Sequence, residues 1–114
     1  MKLNSFAGQT WLVLAALTVP LATAQAQVPL SSYTHANGYV DVQSLTCAQL
    51  ANTFQEDADY LSAWYSGWYN GLAKKHFAHV ARVKSGEHQL IVYCKAHPSV
   101  KIIEAIDVLL KKEK

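Results

Sequence analysis

Asp59-Tyr-Leu-Ser-Ala-Trp-Tyr-Ser-Gly-Trp-Tyr-Asn-Gly-Leu-Ala-Lys74 is the stretch whose reading decides the fold. At about 100° per residue it sorts into two halves of a helix. Tyr60, Leu61, Trp64, Tyr65, Trp68, Tyr69 and Leu72 share one half. Ser62, Ala63, Ser66, Asn70, Ala73 and Lys74 share the other. Five large rings on one face are too much apolar surface to leave in water. The stripe therefore predicts a helix packed into a core, with part of its face left for an interface. Gly67 and Gly71 form a small-x-x-x-small pair, which predicts close approach of another helix backbone; the polar far side argues against a membrane span.

The flanks predict more helices. Thr46-Cys-Ala-Gln49 reads as a capping box, with Leu45 and Leu50 at staple spacing, opening a short helix from Cys47 to about Phe54. Gln55-Glu-Asp57 reads as a polar break, and Asp57 or Asp59 as the cap of the aromatic helix. Lys74 to Lys84 holds Lys74, Lys75, His76, His79, Arg82 and Lys84 without an acid. It reads as a weak continuation or a loop with a solvated basic surface, anchored by Phe77, Val80 and Val83. Ser85 reads as the N-cap of a third helix, with Glu87 in its first turn and His97-Pro98 as its stop. A last helix begins near Pro98 or Ser99. It puts Ile102, Ile103, Ile106, Leu109 and Leu110 on one arc and ends in lysines. The fold class is all-α: four helices in one small domain.

The start of the chain has another character. Lys2, the apolar run Trp11–Val19 and the small-residue sites Ala22-Thr-Ala24 and Ala24-Gln-Ala26 predict a secretory leader over residues 1–26, cleaved after Ala24 or Ala26. Residues 27–41 have no period and hold Pro29, Ser31, Ser32, Asn37 and Gly38, which predicts a flexible arm before the domain at 42–114. Export places the two cysteines in an oxidising compartment, where a lone pair joins itself, Cys47 to Cys94. Two free thiols or an intermolecular link are the other arrangements.

Without Lys2 the chain carries nine Lys plus Arg against eight Asp plus Glu, a formal +1 at pH 7. In strong acid the carboxyls are neutral and five histidines are charged, so the formal charge becomes +14. The candidate pH-responsive groups are Asp57, Asp59, Glu87, Glu104 and Asp107 with His76, His79 and His88. An acid paired in the fold loses its stabilising contribution as pH falls through its folded pKa; a histidine buried neutral loses it from about pH 6. No Ser-His-Asp pattern, paired-acid constellation or phosphate loop indicates catalysis, and no cofactor motif is present. His76-x-x-His79 would face one side of a helix, but nothing nearby completes a metal ligand set. Any ligand of the basic run Lys74 to Lys84 is expected to be an anionic lipid head group or an unfolded acidic chain; in an exported protein no nucleic-acid partner is expected, nor stable membrane insertion.

Several of these residues resemble the HdeA/HdeB acid-stress chaperone family. They are Thr46-Cys47 opening a short helix, Trp64-Tyr-Ser-Gly-Trp-Tyr-Asn-Gly71, Val92-Tyr-Cys-Lys-Ala-His-Pro98 and the lysine-ended final helix. The resemblance runs from Val42 to Leu110. It implies a periplasmic all-α protein with one internal disulfide, a homodimer near neutral pH that dissociates or partly unfolds in acid. The uncovered apolar surface then holds acid-denatured periplasmic proteins in solution. By that resemblance the seven residues from Tyr60 to Leu72 are the candidate dimer and client surface. A constitutive envelope module with one fixed partner is the alternative.

Overall fold

The structure, a computed structural model, describes Gly8 and residues 26–113. The leader expected over residues 1–26 lies outside the described residues apart from Gly8 and Ala26. Among the described residues there are four α-helices and one 3-10 turn, Leu30–Tyr33. The helices are α1, Cys47–Asn52; α2, Gln55–Leu72; α3, Val80–Ala96; and α4, Ile102–Lys112.

Helix α1 is the shortest and the most central. Its four N-terminal amides all find acceptors, which accounts for every donor a helix start leaves over. Thr46 N–H donates to Gln49 Oε1 at 2.9 Å and Gln49 N–H to Thr46 Oγ1 at 3.3 Å, so the capping box is present. Cys47 N–H donates to the Val100 carbonyl at 2.7 Å and Ala48 N–H to that of Pro98 at 3.0 Å. The α3–α4 connection thus supplies what the cap does not. Cys47 and Cys94 are joined, with Cα atoms 4.5 Å apart, which ties α1 to α3 as expected. Closing that loop stabilises the fold by about 4 kcal/mol in the chain-entropy view. Around the bridge lie Leu45, Leu50, Ala58, Leu61, Tyr65, Leu90, Ile102 and Ala105, all buried.

Three helix boundaries differ from the sequence reading. The polar break at Gln55-Glu-Asp57 is already helical: α2 starts at Gln55 with Phe54 as N-cap, and no side chain caps it. Asp57 and Asp59 lie inside the helix. Asp57 accepts the Leu30 N–H at 2.8 Å, so it serves the preceding segment. Helix α3 begins at Val80, capped by His79, whose Nδ1 accepts the Arg82 N–H at 3.1 Å. Ser85 is one turn inside that helix and meets Gln89. A basic first turn opposes the helix dipole, and imidazole is an uncommon cap, so the sequence hid this start. Helix α4 starts at Ile102, later than Pro98 or Ser99, because residues 97–101 are spent on α1.

Residues 27–41 carry specific bonds. Val28 N–H donates to Asn52 O at 3.0 Å, and the Val28 carbonyl accepts from the Phe54 N–H and the Thr53 hydroxyl. Leu30, Tyr33 and Val40 pack against the core. Just beyond, the Val42 carbonyl accepts the hydroxyl of buried Tyr65.

Helix α2 ends in a Schellman motif. Lys75 N–H donates to Asn70 O at 2.8 Å and Lys74 N–H to Gly71 O at 3.0 Å. Lys74 takes the left-handed position with φ of 54°, where glycine is usual. A Cβ placed on Gly67 or Gly71 would meet nothing within 4 Å, so no described helix approaches there. The expected close contact at these glycines is corrected: both face outward.

Candidate functional site

The aromatic face divides. Leu61 and Tyr65 are buried, Tyr65 with 2 % of its surface exposed. Trp68 and Tyr69 are half-buried against the core. Tyr60 is 68 % exposed, Trp64 41 %, and Leu72 is exposed too. The inward stripe is Ala58, Leu61, Ser62 and Tyr65, turned toward the side that the wheel assigned to polar residues. Ser62 is therefore in the core. Trp64 and Trp68 have ring centroids 5.7 Å apart, Trp68 and Tyr69 5.3 Å, and Trp64 meets Tyr65 edge-on at 5.5 Å. A continuous ring path thus joins a buried tyrosine to solvent-facing tryptophan. Burial pushes the Tyr65 hydroxyl well up and raises that of Tyr69, to which the carboxylate of Asp107 adds.

Of the eight candidate pH-responsive groups, the structure brings one pair together. Asp59 of α2 and Glu87 of α3 are within hydrogen-bonding reach of each other. Gln55 Nε2 donates to both, at 2.8 Å to Asp59 Oδ1 and 3.1 Å to Glu87 Oε1. Partial burial first, then the Asp59 carboxylate, lift Glu87 to about 7. Asp59 is held below the usual carboxylate range by the hydrogen bonds from Glu87 and Gln55. One proton therefore sits between two helices. Glu104 and Asp107 lie on the exposed side of α4, and Asp57 serves Leu30. His76, His79 and His88 are exposed, and His79 caps α3. His76 is not helical and its ring lies tilted against that of Phe77, centroids 4.3 Å apart, so the condition for a His76–His79 ligand pair is not met. Sequence reasoning missed Gln55, hidden in the supposed break, and Ser62, whose spacing from Ala58 and Tyr65 was the available signal.

Phe77 and Val80, expected as anchors, are exposed, Phe77 at 85 %. Phe77 and Leu110 line a cleft of about 560 Å³ between the C-terminal half of α2, the start of α3 and the end of α4. Its floor is Tyr65, Tyr69, Leu90, Ile106 and Leu109. Among the described residues, no group of three or more His, Cys, Asp or Glu could hold a metal, and no helix is long and apolar enough to cross a membrane.

The described residues form a small all-α domain whose short helices are clasped by one disulfide and whose aromatic helix is divided between core and solvent. The HdeA/HdeB family model matches residues 9–104, and the chain belongs to that family. The family is one of periplasmic acid-stress chaperones. No curated protein and no solved structure matches the chain.

Proposed function

We propose that this chain is an acid-activated, ATP-independent holdase. It is a homodimer near neutral pH. In acid it dissociates or partly unfolds and holds denatured periplasmic proteins on the face from Tyr60 to Leu72.

The observation that carries this reading is the way α2 is held. Helix α1 is tied to α3 by a covalent bond and to the α3–α4 connection by backbone hydrogen bonds. Helix α2, which bears the rings, has no covalent tie, and its polar link to α3 is made of protons shared among Gln55, Asp59 and Glu87. Release of α2 would add Leu61, Tyr65 and Tyr69 to the already exposed Tyr60 and Trp64, while the bridge keeps the remainder joined. A ring-rich surface suits contact with many unfolded chains.

The sign of the pH effect differs for the two acids. Asp59, lowered in the fold, contributes stability above its unfolded pKa of 3.8, lost as pH falls through the lower folded value. Glu87, raised, contributes fully below its unfolded value of 4.5, lost as pH rises through about 7. Acid opening therefore draws on Asp59 and on repulsion as the charge climbs toward +14. Among the described residues there is no ion pair to break.

Light scattering of an aggregating client at pH 2 to 3 tests the proposal: the protein should suppress it there and capture little at pH 7. Absence of suppression in acid would remove the holdase reading. Stable capture of one partner at pH 7 would favour the fixed-partner alternative.

A further inference from the structure

The geometry points to a second binding site, the cleft between α2, α3 and α4, built to take a single-chain amphiphilic carboxylate, its acyl chain on the apolar floor and its head group at the basic mouth. The cleft shares Tyr65 and Tyr69 with the proposed client face, but it is formed in the folded protein and its reading does not depend on acid opening.

Four observations support it. The cleft's size, about 560 Å³, falls in the range of small-molecule sites. Its floor is three aliphatic side chains and the rings of Tyr65 and Tyr69. At one end stand Lys75, His79 and Arg82, beside the first turn of α3, where the helix dipole adds positive potential. Among the described residues neither Lys75 nor Arg82 has an ion-pair partner. Glu113 also lines the cleft, leaving two fixed cations against one acid at that end; Glu87 lies with Gly86 and Leu90 toward the other.

Toward that inner end is Ser62, 8 % exposed, whose hydroxyl has no hydrogen-bond partner. A buried hydroxyl left alone is costly, and it lines this cleft. Ser62 and Ala73 are eleven residues apart, about 16 Å of helical rise. That is the reach of a medium-length acyl chain laid along α2. A hydroxyl on the far end of the chain would satisfy Ser62, so an ω-hydroxy acid should bind more tightly than the plain acid.

Isothermal titration of the protein at pH 7.5 tests this with dodecanoate below its micelle concentration. The comparison ligands are 12-hydroxydodecanoate, dodecyltrimethylammonium and vesicles rich in phosphatidylglycerol. The expected result is saturable one-to-one binding of dodecanoate, tighter for the hydroxy acid. Binding of the cationic amphiphile should be at least tenfold weaker. Arg82→Glu should weaken dodecanoate at least tenfold. Gly86→Leu should abolish binding by filling the cleft, since a Cβ there meets nothing within 4 Å and leucine favours the helix. Far-UV circular dichroism verifies that both variants remain folded. The inference is overturned by no binding, by equal binding of the cationic amphiphile, by binding to vesicles alone, or by folded variants that bind unchanged. It is also overturned if Gly86→Leu dissociates a dimer that dodecanoate does not enter, because the occupant is then a second copy.

Discussion

Asp59 and Glu87 face each other across α2 and α3 with the Gln55 amide donating to both. Two carboxyls this close keep a proton between them near neutrality, and here burial places it on Glu87. The join between the aromatic helix and the clasped helices is therefore strongest in mild acid and weakens on either side.

Glu87→Gln should isolate the alkaline side of that behaviour. The wild-type protein should lose stability between pH 5 and pH 8, as Glu87 gives up its proton around 7. The amide cannot ionise, so the variant should be flat over that window. Glu87 is largely solvated, and screening keeps the difference under about 1 kcal/mol. Urea melts at both pH values measure it.

Lys74→Gly should stabilise the protein. Lys74 holds a left-handed conformation that costs a side-chain-bearing residue about 1–2 kcal/mol. Glycine's greater freedom when unfolded returns part of this, leaving a net gain of about 0.5–1 kcal/mol. The shift in urea midpoint at unchanged slope reads it directly.

How much of this was legible in the sequence follows from where each residue finds its partner. Thr46 and Gln49 satisfy one another three residues apart, so their box could be read outright. Two cysteines allowed few arrangements, and the one between α1 and α3 is present. The aromatic stripe marked α2 as a helix, but the inward side depends on what lies opposite, and that turned Ser62 inward and Tyr60 outward. The start of α2 was missed because its cap, Phe54, is held by the distant Val28 carbonyl rather than by a local side chain. The bonds of residues 27–41 reach partners across the fold, which a search for periodicity cannot see. The proton shared by Asp59 and Glu87 is equally non-local.

Tyr65→Phe should cost about 1 kcal/mol. The Tyr65 hydroxyl donates to the Val42 carbonyl, and its loss leaves that acceptor without this partner. Ring packing is retained, so near-UV circular dichroism should keep its shape while amide exchange just before α1 accelerates.

Replacing both cysteines, Cys47→Ser with Cys94→Ser, should cost about 4 kcal/mol and reduce recovery after acid treatment. The sequence separation of 47 residues governs that figure. The variant should still uncover its rings in acid, yet return to the folded state more slowly when neutralised. Stopped-flow fluorescence of the tryptophans follows the return.

Near-UV circular dichroism between pH 7 and pH 2, with the disulfide intact, most directly probes the claim that protons uncover the ring-bearing helix. The account predicts that the signal of the Trp64, Trp68 and Tyr69 array collapses in strong acid and returns on neutralisation. A spectrum at pH 2 that overlays the one at pH 7 would contradict it.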